Sequence, residues 1–433
     1  MNESQHTTAL RLENEARQLD AIDPIADFRN EFYFPKTEEG QDEIYFVGNS
    51  LGLQPKITRE YVLQELDAWQ SRGVRGHFQG DFPWLPYHEF LTDTMSEIVG
   101  AQSNEVVVMN TLTVNLHLML ASFYRPHGKR NKILLERQAF PSDHYAVESQ
   151  IKWHGLEPAQ CMLLVEPAPG QSTISTEQIC ERIQQYRDEL ALILLPGVQY
   201  YTGQVFDMQK ITEKAREFDV LVGFDLAHAA GNIPLNLSHW DVDFACWCTY
   251  KYLNSGPGSI GGCFVNSRHT GNPDCLRLAG WWGHDKASRF RMENRFSPIP
   301  TAEGWQLSNP PILSLAAVRA SLDVFKRVGG IGILRQKSVR LTGFFHECLA
   351  QLLPGKVQIL TPTEPQQRGC QLSLKVDLRD ISGKSVFEQL ELAGMRTDWR
   401  EPDVIRAAPV PLYNSYHEVC RFVIELARLL NAA

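Results

Sequence analysis

Nine cysteines are scattered along this 433-residue chain without a single C-x-x-C pair. That absence signals neither a zinc site nor a disulfide framework. No apolar run approaches the roughly 20 residues needed to span a bilayer. The polar opening Met1-Asn-Glu-Ser-Gln-His6 lacks the basic-then-apolar order of a signal peptide. Positive charge is not in excess: 42 Lys and Arg stand against 51 Asp and Glu, a formal net charge of −9. This argues against a surface for nucleic acid or anionic membrane. Repeats and low-complexity tracts are missing too. The class left standing is a soluble cytoplasmic protein, and its length exceeds one compact core, so two domains are expected.

The middle of the chain alternates short apolar runs with helical patterns, as βαβ units around a mostly parallel sheet do. Strands are expected at Lys132–Leu135, Cys161–Val165, Ala191–Leu195, Val220–Phe224, Phe244–Trp247 and Gly262–Val265. Helices are expected at Asn115–Phe123, Tyr145–Trp153, Thr176–Glu189 and Met208–Glu217. Past Pro311 comes a long helical stretch, Leu313–Leu352, interrupted at Gly329-Gly330. An alternating strand at Gln371–Asp377, a helix at Ser385–Ala393, a short run through Val404–Ala408 and a terminal helix around Glu418–Leu430 follow. The expected division is a large α/β domain over 60–310, and a small α+β domain made of 1–59 with 311–433.

Lys251 ends the apolar, aromatic run Asp243-Phe-Ala-Cys-Trp-Cys-Thr-Tyr-Lys251. Burying an ammonium is costly unless it is paired or neutralised, and a lysine in such a setting suits imine chemistry with a carbonyl cofactor. Upstream, Val220-Leu-Val-Gly-Phe-Asp225 delivers a carboxylate at a strand end, with His228 three residues on. A buried lysine and a strand-end acid together suggest pyridoxal 5′-phosphate (PLP), whose aldehyde needs an amine and whose ring nitrogen needs a carboxylate. Taken alone, Asp225 could equally be the N-cap of a following helix, and His228 a satisfied buried histidine.

Three further segments are candidates. Asn110-Thr-Leu-Thr113 precedes a helix opening at about Thr113 and offers N–H donors and hydroxyls for a phosphate. Phe140-Pro-Ser-Asp143 offers a flat ring, a hydroxyl and an acid. Arg406, flanked by apolar and proline residues, suits capture of a carboxylate, with a structural ion pair as the plainer alternative. Gly256-x-Gly258-x-x-Gly261 matches the dinucleotide fingerprint literally, but Pro257 lies inside it and a strand pattern follows, so that reading is rejected. The glycines are expected to let the backbone turn tightly near the cofactor instead.

Phe224-Asp-Leu-Ala-His-Ala-Ala-Gly-Asn232, Asp243–Asn254 and Ser308-Asn-Pro-Pro-Ile312 resemble segments of the kynureninase family, as do Phe46–Pro55, Leu112–His117, Phe140–Tyr145, Gly280–His284 and Ala408–Ser415. The resemblance runs over nearly the whole chain. It implies a fold-type I PLP hydrolase with a large, mostly parallel seven-stranded sheet, acting on kynurenine or 3-hydroxykynurenine in tryptophan breakdown or pyridine-nucleotide synthesis. It implies that Lys251 carries the cofactor, Asp225 meets its ring nitrogen, and Leu112 and Thr113 its phosphate. Phe140 then lies over the ring, with Pro141, Ser142, Asp143, His228 and Tyr250 completing the pocket and Tyr250 acting as a catalytic acid. Trp281 and Asn309 fall where the family completes the site from a second subunit, which implies a homodimer. Arg406 is implied for the substrate α-carboxylate, and Ser50, His77 and Asn309 for its aromatic ring, where His77 and Asn309 could favour a ring hydroxyl. Pro196 departs from members that carry a hydroxyl there, and is left out of the site. The competing readings are an aminotransferase or cysteine desulfurase of the same class, or a PLP-binding regulator. Cys348, Cys370 and Cys420 lie in regular patterns, not mobile loops, against a desulfurase, and no basic segment supports a regulator.

Overall fold

The computed structural model describes residues 3–272, 274–376 and 382–431. An N-terminal helix, Glu3–Ala21, leads through irregular chain to β1 (Ile44–Tyr45). The central sheet has seven strands: β2 (Val106–Val108), β3 (Lys132–Glu136), β4 (Met162–Val165), β5 (Leu190–Pro196), β6 (Leu221–Asp225), β7 (Phe244–Trp247) and β8 (Gly262–Val265). Their spatial order is β2-β8-β7-β6-β5-β3-β4, and β8 runs against both neighbours while the other pairings are parallel. The strands are apolar on both sides because both faces are covered: the buried residues of the sheet divide between two hydrophobic clusters, one on each side.

The helices between them follow the expected order. Thr176–Gln185 opens with a capping box in which Ser175 and Gln178 satisfy each other's backbone N–H. Pro141–Trp153 starts earlier than the apolar period suggested, because Pro141 sits at the first helical position, where its missing N–H costs nothing. That early start places Ser142 and Asp143 on the first turn. The long C-terminal pattern is two helices, Ile312–Arg327 and Ile331–Leu352, broken where Gly329 and Gly330 adopt φ of +88° and +83°.

A second sheet, in the order β12-β13-β10-β9, is built from β9 (Val357–Ile359), β10 (Leu372–Val376), β12 (Asp398–Arg400) and β13 (Val404–Ala407). Between the last two hairpin partners and β10, β11 (Met395–Arg396) pairs in parallel with β1. The expected strand at Gln371–Asp377 is β10, with Asp377 itself outside the described residues. Around this sheet lies a separate core in which Ala9, Leu12, Ala16, Ile44 and Phe46 from the N-terminal segment pack with residues of 341–430. The helix Ile312–Arg327 instead contributes Leu315, Val318, Leu322 and Phe325 to the core of the large sheet. Among the described residues, no helix is long and apolar enough to cross a membrane.

Candidate active site

Parallel strands deliver their loops to one edge, and here β3, β5, β6 and β7 all end beside a single cavity of about 280 Å³. Asp225, the last residue of β6, is buried and accepts the Ala227 N–H at 2.7 Å on Oδ1. Burial pushes its carboxyl up, but Asp143 beside it is pushed up further, by burial first and then by the charge of Asp225. The two cannot both ionise cheaply, and of the pair Asp143 is the one that holds a proton more strongly. His228 is fully enclosed, and burial together with the charges of Lys251, Arg406 and Arg400 drives its pKa well below the usual value. Its ring is neutral, and its Nδ1 has no protein partner.

Lys251 follows β7 and reaches the cavity, half-buried rather than sealed in, with Nζ 5.9 Å from the ring centres of both Phe140 and Tyr250. Its backbone lies tight against the N-terminal segment: Gly52 N–H donates to Tyr250 O at 2.8 Å, and a Cβ on Gly52 would strike the Lys251 carbonyl. This close approach holds Ser50 at the cavity wall. The Tyr250 hydroxyl is held protonated, because burial and the neighbouring Cys248 raise its pKa.

At the opposite wall the helix Leu112–Phe123 begins one residue before the expected Thr113. Thr111 is extended and supplies no side-chain cap, so the first N–H groups face the cavity unclaimed. Thr113 Oγ1 and Ser142 Oγ share a hydrogen bond of 2.9 Å beside them. The Phe140 ring stands over the same space, edge-on to Tyr200 at 5.4 Å. Arg406 is buried on β13; it donates to Tyr200 O at 2.7 Å and pairs with Asp398 through the other terminal nitrogen. Asp398 Oδ2 also accepts from Ser50 at 2.7 Å and Arg400 at 3.1 Å. Two guanidinium groups thus share one carboxylate, and a net positive charge is left at the cavity wall. Among the described residues, Arg406 Nε has no hydrogen-bond partner.

These groups fit PLP. An amine, a strand-end carboxyl group, a flat ring and a corner of hydroxyls and helix N–H groups match its aldehyde, ring nitrogen, ring face and phosphate. The unpartnered Nδ1 of His228 lies in the same wall.

A family model described as the kynureninase C-terminal domain matches residues 334–426. A kynureninase of Koribacter versatilis is 52% identical over 419 residues, which is 97% of this chain and 98% of that protein. One from Xanthomonas euvesicatoria is 53% identical over 94% of this chain and 95% of that protein. The chain belongs to the kynureninase family. It is therefore a hydrolase dependent on PLP. Solved structures with the same fold include a cysteine desulfurase from Thermococcus onnurineus (TM-score 0.75, 17% identity, 94% of this chain and 98% of that one). A C-DES mutant with glycine covalently linked to its PLP cofactor has TM-score 0.73 at 20% identity, over 89% of this chain and 96% of that one. The expected fold class, with its large, mostly parallel sheet, is the one found.

Within this kynureninase fold, eleven of the residues singled out in the sequence line the cavity: Ser50, Leu112, Thr113, Phe140, Ser142, Asp143, Asp225, His228, Tyr250, Lys251 and Arg406. Pro141 does not line it and acts by starting the helix. His77, at the end of the turn Gly73–His77, packs edge-on to Trp84, and Asn309 and Trp281 lie on the chain's surface. Gly256 and Gly258 are also displaced from the expectation. They turn at φ +91° and +67°, but beside an outer groove with Leu313 and Tyr33, because the loop from β7 to β8 runs outward past Lys251 before it returns to the same edge of the sheet at Gly262. Sequence reasoning missed Asn49, Val198, Tyr200, Arg400 and Asp398. The motif Gly197-Val-Gln-Tyr-Tyr-Thr-Gly203 was visible, whereas Asp398 and Arg400 sit on a short strand with no apolar alternation to mark it. Pro196, set aside earlier, does line the cavity. Cys348, Cys370 and Cys420 are all buried, and none presents a mobile thiol.

Proposed function

We propose that the chain hydrolyses L-kynurenine, or its 3-hydroxy form, at Cβ–Cγ, giving anthranilate or 3-hydroxyanthranilate and L-alanine. The observation that carries this is the buried Arg406 guanidinium, with an unpartnered Nε, in the same cavity as Lys251 and Asp225. PLP, when bound, supplies an electron sink for the charge that develops as the Cα proton leaves and Cβ–Cγ breaks. Arg406 grips the substrate α-carboxylate, and Lys251 Nζ takes the Cα proton and returns it to Cα as alanine forms. Asp225 would hold positive charge at the ring nitrogen of the bound cofactor, with Asp143 beside it; Leu112, Thr113 and Ser142 would hold its phosphate, and Phe140 and His228 would flank its ring. Water adds to the Cγ carbonyl, the aromatic acid departs, and Tyr250 delivers a proton to Cβ.

Ser50, His77 and Asn309 shape the space for the aromatic ring. Trp281 and Asn309 complete the cofactor site from a second copy of the chain in a homodimer. The apolar surface around Trp281, with Phe290 ring-to-ring at 5.6 Å and Leu276, Leu278 and Met292 exposed, supports a covered face there. Nine free cysteines suit a reducing cytoplasm. The cofactor unit in this reading spans 60–310, and 1–59 with 311–433 forms the second; the separate core uniting Ala9, Leu12, Ala16, Ile44 and Phe46 with residues of 341–430 supports the pairing, while the helix Ile312–Arg327 packs on the large sheet.

The deciding assay is release of fluorescent anthranilate with alanine from kynurenine. Sulfide release from cysteine with no anthranilate would sink the proposal in favour of a desulfurase. Tyr250→Phe is expected to lower kcat by about 10²–10⁴-fold, the usual worth of a positioned acid, with little change in KM. A full rate in steady state and in a single turnover would remove Tyr250 as the acid. A site that hydrogen-bonds a substrate hydroxyl discriminates against its absence. Asn309→Ala is therefore expected to lower the kcat/KM ratio of 3-hydroxykynurenine to kynurenine by about tenfold; an unchanged ratio would place the discrimination elsewhere.

A further inference from the structure

The loop after β5, Gly197-Val-Gln-Tyr-Tyr-Thr-Gly203, carries a buried side chain that ties its own turn to the end of β3. Gln199 is 2% exposed. Its Nε2 donates to Glu136 Oε1 and to Gln138 O, both at 3.1 Å. These acceptors lie at the end of β3 and in the short link to Phe140 and Asp143. Its Oε1 accepts from Tyr201 N at 2.6 Å, Thr202 N at 2.7 Å and Thr202 Oγ1 at 3.2 Å. The amide is saturated on both sides, which is unusual for a surface-type side chain and makes the turn's shape depend on it.

The turn's other face meets the second sheet. Three successive carbonyls point at it and each accepts from a side chain there. Tyr200 O takes Arg406 at 2.7 Å and Gln371 Nε2 at 3.1 Å, Tyr201 O takes Ser373 Oγ at 2.5 Å, and Thr202 O takes Thr361 Oγ1 at 2.5 Å. Ser373 is also the register partner of Arg406 across the β10–β13 ladder. A continuous path of hydrogen bonds therefore runs from Glu136, near the Asp143–Asp225 pair, through Gln199 and the Tyr200 carbonyl to the Arg406 guanidinium.

We propose that Gln199 is a positioning residue for the reaction: by bracing the 199–204 turn against the end of β3, it sets where Arg406 stands relative to Lys251 and Asp225. This rests on the reading of Arg406 as the group that grips the substrate carboxylate. The physical need is specific. Arg406 and the cofactor carboxylates belong to different sheets, and a misplacement of about 1 Å costs about a hundredfold in rate. The Asp398 pair fixes Arg406 from its own sheet, and the Tyr200 carbonyl is its tie to the other.

The test uses the holoenzyme and a reversed pair. Gln199→Glu keeps the acceptor for Tyr201 and Thr202 but sets two carboxyl groups against each other at Glu136. Adding Glu136→Gln returns a donor to that contact. Q199E is expected to raise KM for kynurenine and lower kcat/KM by about tenfold or more, the cost of an unmade buried hydrogen bond, with the cofactor's visible absorbance retained. E136Q/Q199E is expected to recover several-fold of that loss. Unchanged KM in Q199E, or a loss that the second change does not recover, would overturn the proposal. Should Q199E fail to fold, Ser373→Ala removes one tie on the turn's far face and is expected to raise KM by several-fold with kcat little changed; an unchanged KM there also overturns it. Failure of the functional reading is a separate result, since the unaltered enzyme would then release no anthranilate.

Discussion

Lys251→Ala is expected to lower kcat on kynurenine by about 10³–10⁴-fold, at the upper end of what one acid–base group contributes. Its amine is the proton acceptor within reach of both the Phe140 and Tyr250 rings, and the other ionisable groups of the wall are unsuited to replace it. The Asp143 carboxyl is pushed well up by burial and by the charge of Asp225, and His228, pushed well down by burial, is enclosed among positive charges. The tight packing of Gly52 on the Lys251 backbone is untouched by the change, so the fold should be retained. Two measurements check this: loss of the visible absorbance of lysine-bound cofactor, and partial recovery of rate by a small primary amine added to solution. A variant that kept even a tenth of the wild-type kcat would show that another group takes the proton.

Removing the guanidinium of Arg406 comes second. Truncating one partner of a buried, hydrogen-bonded charge pair costs about 2–5 kcal/mol, which is about 30- to 4000-fold in kcat/KM. Arg406→Gln should fall in that range, mostly through KM, because the interaction with the α-carboxylate is made on binding and kept through the reaction. Arg406→Lys should not restore it. An ammonium cannot serve the Tyr200 carbonyl, Asp398 and a substrate carboxylate from one plane. Cofactor absorbance should be normal in both variants. An Arg406→Gln enzyme with unaltered KM would assign carboxylate binding to Arg400, whose side chain shares Asp398.

The strand ends were legible because a parallel sheet buried on both faces demands continuous apolar runs. Val220–Phe224 and Phe244–Trp247 therefore announced where Asp225 and Lys251 would emerge. Glycine pairs with positive φ marked the break at 329–330 for an equally local reason. The start of the helix at Pro141 was less legible, because the apolar period begins only on its second turn. Asp398 could not be found that way at all. Its strand is half-buried at every position, and its importance lies in Ser50, Arg400 and Arg406, up to 348 residues away in sequence.

What the sequence determined by itself was that Lys251 and Asp225 follow buried strands, the order of the elements and the family, since each is written in residue types along the chain. Tertiary structure alone set Asp143 and Asp225 side by side in a buried wall, with the Asp143 carboxyl pushed up further. It alone tied Gln199 to Arg406, left Trp281 and Asn309 on the surface and turned Gly256 and Gly258 away from the cavity. Those outcomes depend on burial and on distances between segments far apart in the chain, and neither quantity exists until the two sheets meet.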